Sequence, residues 1–342
     1  MNAQGYLQTG QITCHNTFGR EIPCPGSRQD GEFKKGIPWP SPRFEQKGET
    51  VLDHLTGLTW TQNANLAEFP FTWQEALDYV FSMNREKAFG CSDWRLPNRR
   101  ELRSLMSHQT GKPALPEGHP FTNVFLGWYW TSTTAAINTA YAWYIHLEGA
   151  RTFYGGKEQF FLLWPCRGEG HKILPATGQI QCYDIMTQAD LLSRASEQVR
   201  TGSSISDRSG LNRVSKSLMS SLLSLCRLKK ADLTGRLVTW IEAFEAIATL
   251  NLNSKVKVLW RLPNINELES LVDCSMHSPA LPAGHPFKNV QGGYWSSTTS
   301  MFEPDWAWAL YLTKGAIGVG QKRGAHFSVW AVCDAYDIKA FT

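Results

Sequence analysis

Two stretches of the chain place apolar residues at the spacing of a helix that buries one face. One begins at Trp73 and the other at Trp240, and each follows a Thr and carries Glu at its third helical position. This arrangement is a capping box, in which the Thr hydroxyl and the Glu carboxylate satisfy amides at the helix start. We therefore predict two amphipathic helices. Their apolar stripes are Trp73, Ala76, Leu77, Val80 and Phe81 in the first, and Trp240, Ala243, Phe244, Ile247 and Ala248 in the second.

A second motif that predicts a helix start occurs twice, as DWRLPNRREL at 93–102 and LWRLPNINEL at 259–268. Asn98 is a favourable N-cap, and Glu101 is placed to reach back to its amide. The Arg of each copy either binds a ligand or satisfies carbonyls or an internal carboxylate, and its donor geometry favours the second interpretation. We therefore assign the motif to the scaffold. Its structural residues are Trp94, Arg95, Asn98 and Glu101, and in the second copy Trp260, Arg261, Asn264 and Glu267.

After these helices the pattern changes to short runs of aromatic and β-branched residues, which is typical of strands. We predict strands at 128–134, 142–147 and 160–166, and again at 294–299, 306–312 and 326–333. Each copy is thus two helices followed by an antiparallel sheet, which is an α+β domain.

The repetition extends along most of the chain. TGQITC, PALPEGHPFTNV and YWTSTT of the first half recur in the same order as TGQIQC, PALPAGHPFKNV and YWSSTT. A repeat of this length indicates a duplicated domain. We assign residues 1–170 to a first domain and residues 171–342 to a second, divergent one, and we expect two equivalent cores. A Ser-rich insert around 188–230 keeps helical spacing and is expected to be helical or partly disordered; its apolar positions are Leu211, Val214, Leu218, Leu222 and Leu225.

Composition indicates an ordered globular protein. Of the 342 residues, 42% are hydrophobic and 14 are Trp, while the net charge of +4 is too mild to indicate nucleic acid as the main ligand. No stretch reaches the roughly 18 apolar residues of a membrane helix, so no membrane insertion is expected. Met1–Gly10 lack an apolar signal core. Cys14 and Cys24 lie in a loop rich in Gly and Pro, and the small disulfide loop we predict there indicates an oxidising compartment, with the signal peptide absent from this chain.

Catalytic chemistry is not indicated. An enzyme needs a nucleophile with a base, a carboxylate pair or a metal cluster, and the chain shows none of these at a persuasive spacing. Gly-x-Ser-x-Gly, a phosphate loop and His-Glu-x-x-His are missing from the sequence. His119 and His285 recur in GHPF, but a His before Pro in a tight loop more often forms local hydrogen bonds. We predict no catalytic residue and no resident cofactor.

The motifs LDHLTGLTW, TWQEAL, DWRLPNRREL, YWTSTT, AWYIHL and WPCRG together resemble the Lcl C-terminal domain family, named after a collagen-like bacterial adhesin. The resemblance covers residues 9–168 and, more weakly, 177–334. It implies a C-type-lectin-like fold, related to formylglycine-generating enzyme, in which two helices flank twisted antiparallel sheets and loops present the binding surface. It also implies a secreted or surface-attached protein, as most family members are, and a binding function, because the adhesin's domain binds sulfated polysaccharides. Alongside the resemblance we predict a second disulfide, between Cys91 and Cys166.

Cations interleaved with aromatic residues near the closing strands indicate where such a ligand binds. Cationic side chains pair with sulfate or carboxylate, and rings stack on sugar faces. The alternative is a solvated sheet edge protected by Lys. Glu303-Pro304-Asp305 resembles the calcium loop of C-type lectins, with a plain polar turn as its alternative, so calcium is the one metal considered. The predicted ligand-binding residues are Trp143, Arg151, Tyr154, Lys157, Glu303, Asp305, Trp306, Lys314, Lys322 and Arg323.

We therefore expect a non-enzymatic, exported or cell-surface protein that binds carbohydrate or a protein surface, with tandem domains adding avidity for a polymer. The alternatives are an oxidoreductase or metal-dependent enzyme on the related fold, and a structural or assembly module.

Overall fold

The helices begin where the capping boxes predict them. The structure, a computed structural model, describes residues 5–171, 173–183, 225–254 and 258–334. Thr72, Asn98, Thr239 and Asn264 each cap a helix through a complete capping box, so these four predicted starts are confirmed. The α-helices of the described residues are α1 (Asp30–Phe33), α2 (Trp73–Arg85), α3 (Arg99–Ser104), α4 (Trp240–Asn253) and α5 (Ile265–Glu269), and a 3-10 turn follows α2 at Ala88–Gly90.

The apolar stripes of α2 and α4 pack inward with small exceptions. Trp73 and Trp240 are both 1% exposed. Phe81, predicted as the last stripe residue of α2, is instead 40% exposed, because it lies at the solvent edge of that face. Most of the predicted insert at 188–230 lies outside the described residues. Leu225, assigned to its helical pattern, belongs to a strand instead.

The strands of the described residues form four antiparallel sheets. In chain order they are β1 (Cys14–His15), β2 (Glu21–Ile22), β3 (Phe44–Lys47), β4 (Thr50–Asp53), β5 (Leu58–Thr61), β6 (Trp94–Arg95), β7 (Trp128–Thr134), β8 (Tyr141–His146), β9 (Thr152–Gly156), β10 (Cys166–Arg167), β11 (Leu225–Arg227), β12 (Tyr294–Thr299), β13 (Trp306–Tyr311), β14 (Ala316–Gln321) and β15 (Val332–Asp334). The sheet orders are β1-β2, β3-β4-β5-β10-β6, β11-β15 and β12-β13-β14-β9-β8-β7. The chain is therefore α+β, as predicted.

The six-stranded sheet contains strands of both copies. Its two halves meet where β9 runs antiparallel to β14, with Thr152 opposite Ile317. These residues occupy corresponding positions in the repeated sequence, so the halves meet about a pseudo-two-fold axis. The sequence pattern did not predict β9 and β14, whose glycines (TFYGG and AIGVGQ) resemble turns more than strands.

The hydrophobic core corrects the expectation of two equivalent cores. Two smaller clusters, one under α2 and one under α4, are indeed counterparts and contain Trp73 and Trp240 respectively. The largest cluster, however, is shared, with Trp164 and Leu102 of the first copy beside Trp330 and Leu268 of the second. A shared core forms because α3, α5 and the joined sheet bury their apolar faces against one another.

The segments that precede each copy are exchanged between the copies. In the first, the Thr9 carbonyl accepts from His108 N at 2.8 Å, and Gln11 then bonds Thr299 of the second copy, accepting from its amide at 2.9 Å and donating to its carbonyl at 2.8 Å. In the second, Thr177 accepts from Cys274 N, and Gln179 accepts from Thr134 N of the first copy. Each TGQI segment therefore starts on its own copy and ends on the other.

Candidate functional site

The repeated RLPN motif forms buried ion pairs. Arg95 donates to both carboxylate oxygens of Glu101 at 2.6 and 2.8 Å, while Glu101 also accepts from the Asn98 amide at 2.7 Å. Arg261 and Glu267 repeat the bidentate pair at 2.6 and 2.5 Å. Because these groups satisfy one another at a helix start, the contacts favour the structural interpretation of the motif over a ligand-binding one.

Lys157 and Lys322, predicted as ligand-binding residues, are fully buried, and this corrects the prediction for both. Each ammonium lies over a helix Trp, at 4.1 Å from the Trp73 ring and 4.2 Å from the Trp240 ring. Lys157 donates to the Tyr183 carbonyl at 2.7 Å. Both lysines therefore hold an exchanged segment rather than an external ligand.

Lys322 forms several hydrogen bonds that hold the exchanged segment. Its ammonium donates to Thr299 Oγ1 at 2.9 Å and to the carbonyls of Asn16 and His15 at 3.2 and 3.3 Å. Burial lowers the pKa of Lys322 to about 7. The sequence showed only its charge; its burial depends on contacts with residues some 300 positions away along the chain.

Three exposed residues meet at the junction of the two half-sheets, and we call them the seam patch: Arg151, Phe153 and Lys314. The Phe153 ring is 40% exposed, and the Lys314 ammonium lies 5.6 Å from its centre. Arg151 is exposed, directly precedes β9 and lies two residues from Phe153, so strand alternation places both on one face. Arg151 and Lys314 were predicted; Phe153 was missed, although it directly precedes Tyr154, which was predicted.

Trp143 and Tyr154 lie beneath this region rather than on it. Trp143 is 2% exposed, and the Arg99 guanidinium covers its ring at 4.0 Å, so its prediction as a ligand contact is corrected. Tyr154 is half-buried, with its ring 5.0 Å from Trp143 and 5.2 Å from Phe153. These two residues support the seam patch from within the sheet.

The remaining predicted residues lie around the 303–305 loop of the second copy. Glu303 and Arg323 are exposed, whereas Asp305 and Trp306 are half-buried. The Arg323 guanidinium lies 5.1 Å from the Phe18 ring, which is 66% exposed. We call Phe18 and Arg323 the hairpin patch. Phe18 reaches this loop because the β1-β2 hairpin of the exchanged segment packs there, with Gly19 so close to Asp305 that a Cβ would come within 2.9 Å of its amide nitrogen.

The candidate calcium ligands Glu303 and Asp305 are not part of a larger ligand set. Within the described ranges, no group of three or more His, Cys, Asp or Glu side chains is placed to hold a metal ion. His119 is half-buried and its pKa is lowered by burial. His285 accepts from the Phe287 amide at 3.3 Å, a local hydrogen bond of the kind expected for this motif.

One predicted disulfide is confirmed and the other is wrong. Cys14 and Cys24 are bonded to each other. Cys91 and Cys166 are both unpaired thiols. Cys166 is held in β10 opposite Arg95 and Trp60, and its sulfur accepts from the Arg95 guanidinium at 3.4 Å, whereas Cys91 bonds the nearby Phe89 carbonyl.

Comparison with known proteins supports the duplicated organisation. The family model of the Lcl C-terminal domain matches twice, at residues 49–167 and 218–333. No curated protein matches the sequence significantly. None of the helices in the described residues is long and apolar enough to cross a membrane.

Proposed function

Because the chain belongs to the Lcl C-terminal domain family, we propose that it is a non-enzymatic, exported or cell-surface protein that binds an anionic polysaccharide. We further propose that each copy has a C-type-lectin-like fold, consistent with the antiparallel sheets and the two capped helices of each copy. The disulfide between Cys14 and Cys24 supports export, because such bonds persist in oxidising compartments.

The observation that carries the proposal is the seam patch. Phe153 exposes an aromatic face, and Lys314 and Arg151 place cations beside it. An aromatic ring stacks on the apolar face of a sugar, while cations at its rim pair with sulfate or carboxylate groups of the same polymer. Since Arg151 and Phe153 come from one copy and Lys314 from the other, the patch exists only when both copies are joined.

The hairpin patch provides a second contact of the same chemistry. It also pairs an exposed ring, Phe18, with an exposed cation, Arg323, and it also joins the two copies. Two weak contacts on one molecule raise the effective affinity for a repeating polymer without a deep pocket. We therefore expect affinity to rise with the length of the polysaccharide.

The test is binding of the full chain to immobilised heparin, with chemically desulfated heparin as the reference surface. Binding should require sulfate and should fall steeply as NaCl rises from about 0.05 to about 0.5 M, because exposed ion pairs are screened by salt. Replacing both seam cations, Arg151→Gln with Lys314→Gln, should weaken binding at least about tenfold, the effect of losing one or two charge-assisted contacts.

A charge-matched control is available on the exposed end of α2. Arg85→Gln with Lys87→Gln removes the same two charges outside both patches and should change binding by less than about twofold. Equal losses of heparin binding in both double variants would show that net charge alone determines binding, and this would contradict the proposal. Loss of binding with EDTA, restored by calcium, would instead assign recognition to the 303–305 loop.

A further inference from the structure

Three arginines and one glutamate are buried between the two copies. α3 of the first copy packs near α5 of the second, so that Arg103 meets Glu269, the residue at the corresponding position of the repeat. Arg103 Nε donates to Glu269 Oε2 at 2.6 Å, and Arg99 Nη2 lies 3.5 Å from Glu269 Oε1. Arg100 donates to the Val272 carbonyl at 2.6 Å. Arg99, Arg100, Arg103 and Glu269 are 0, 6, 5 and 7% exposed.

The charges of this cluster do not balance. Glu269 is the carboxylate that contacts these guanidinium groups within 4 Å, and Asp273 instead accepts from the Ser275 amide and hydroxyl. Burial raises the pKa of Glu269, but the three arginines lower it below its ordinary value, so Glu269 is ionised. His108, which contacts Arg103, is neutral because burial and that arginine lower its pKa. Three positive charges thus face Glu269, with Asp273 as a second, more distant carboxylate near Arg100, so positive charge remains in excess.

Several guanidinium donors in the cluster also have no hydrogen-bond acceptor. All three nitrogens of the Arg99 guanidinium and Nε of Arg100 are buried without one. A buried donor without a partner costs about 1–3 kcal/mol, and a buried charge without compensation costs more. The cluster therefore has unused capacity for a group that carries negative charge and accepts hydrogen bonds.

A cavity of about 40 Å³ lies between the two copies, lined by Arg100 and Arg103 but not by Arg99. Its wall pairs corresponding positions of the two copies: Arg100 with Asn266, Arg103 with Glu269, and Ser104 with Ser270. Residues that lead into each copy close it, with Tyr6 on one side and its counterpart Leu174 on the other. The cavity is polar on the arginine side and large enough for a few water molecules or one small oxyanion.

We propose that this cavity binds one small inorganic oxyanion, phosphate or sulfate, between the two copies. The anion accepts from Arg100, whose side chain lines the cavity and whose Nε is buried without an acceptor, and it supplies negative charge that the arginine cluster lacks. Planar guanidinium groups are the preferred protein partners of tetrahedral oxyanions. The bound anion joins α3 of the first copy to α5 of the second.

Direct binding tests the proposal. The full chain, dialysed into a chloride buffer with a zwitterionic pH buffer, is equilibrated with radiolabelled inorganic phosphate or sulfate. We expect saturable binding of one anion per chain and a higher midpoint of thermal unfolding at the same ionic strength, because a ligand of the native state stabilises it. Absence of saturable binding up to about 10 mM of either anion would overturn the proposal, because this concentration is far above the Kd of a specific site.

Two sets of variants locate the anion. Arg100→Met should weaken binding at least about tenfold, whereas Arg85→Met, an exposed arginine of α2, should leave it unchanged. Leu174→Glu introduces a tethered carboxylate at the cavity wall and should abolish both anion binding and the thermal response to added anion. Its neutral match, Leu174→Gln, should retain both.

Because Leu174 is only half-buried, its variants keep the test valid if Arg100→Met fails to fold. Equal binding by Leu174→Glu and Leu174→Gln would contradict the assigned site. So would unchanged binding by a folded Arg100→Met variant.

Discussion

At the scale of single residues, the two buried lysines show how far charge alone misleads. Lys157 and Lys322 follow glycine-rich strands and read as surface cations, yet each inserts its ammonium over the first Trp of a capped helix. The helix Trp is in turn fixed by its indole N–H, which Trp240 donates to the Ser296 carbonyl at 2.8 Å. The ammonium donors are satisfied by backbone carbonyls of the exchanged segment, which the local pattern does not reveal.

Burial of Lys322 predicts a stability that depends on pH. Its pKa is about 7 in the folded chain and 10.5 ordinarily, so between these values the unfolded chain binds a proton that the folded chain has released. Raising the pH through this window therefore stabilises the folded state, by about 2 kcal/mol between about pH 7.5 and about pH 9.5. Urea unfolding at both pH values should show this gain in the parent chain and its loss in Lys322→Met. The exposed control Lys87→Met should keep the gain, and an identical pH dependence of the parent and Lys322→Met would refute the assignment.

At the scale of elements, the sequence predicted what local rules determine. The capping boxes at Thr72, Asn98, Thr239 and Asn264 are local, and all four helices begin there. Strands β7 and β12 have strong aromatic and β-branched patterns and were predicted at their observed bounds. Strands β9 and β14 were missed because their glycines carry no strand signal; pairing across the two copies stabilises them instead. The seam patch depends on that pairing, so only its cations were recognisable.

The RLPN motif predicts an unequal cost for two glutamates that occupy the same position of a capping box. Glu101→Gln leaves the buried Arg95 without its bidentate partner and should lower the free energy of unfolding by about 3 kcal/mol, the usual cost of breaking a buried pair. Glu75→Gln alters the same box on the exposed start of α2 and should cost clearly less. Guanidinium chloride unfolding of both variants provides the comparison. A loss at Glu101 no larger than that at Glu75 would show that the ion pair adds little to the cap.

At the scale of the whole molecule, duplication has produced an intramolecular pseudo-dimer. The sheets join between β9 and β14, α3 meets α5 through Arg103 and Glu269, and the leading segments cross from one copy to the other. A self-complementary interface of this kind is the geometry of a two-fold homodimer, here formed within one chain. Sequence repetition predicted two units but not the shared core, because repetition reports similarity between units and carries no information on their contacts. The two proposed ligand sites, at the seam and in the central cavity, both depend on the joined form.

The exchanged segments predict that the second copy depends on the N-terminal arm of the chain. Asp30 accepts from the Thr298 hydroxyl at 2.7 Å, Lys35 pairs with Asp334, and Asn266 donates to the Leu7 carbonyl, so residues 5–37 complete the second copy although they belong to the first. Deleting residues 1–37 should therefore raise amide hydrogen exchange in β12 and β13 by orders of magnitude while β4 and β5 change little, because exchange reports local opening.

A protease site inserted after Arg200 gives the complementary test. The cleaved halves should co-elute and unfold in one transition, since the joined sheet and shared core do not require a continuous chain. Halves that separate on size exclusion, or a deletion that loosens the first copy more than the second, would contradict the exchange and restore two independent domains.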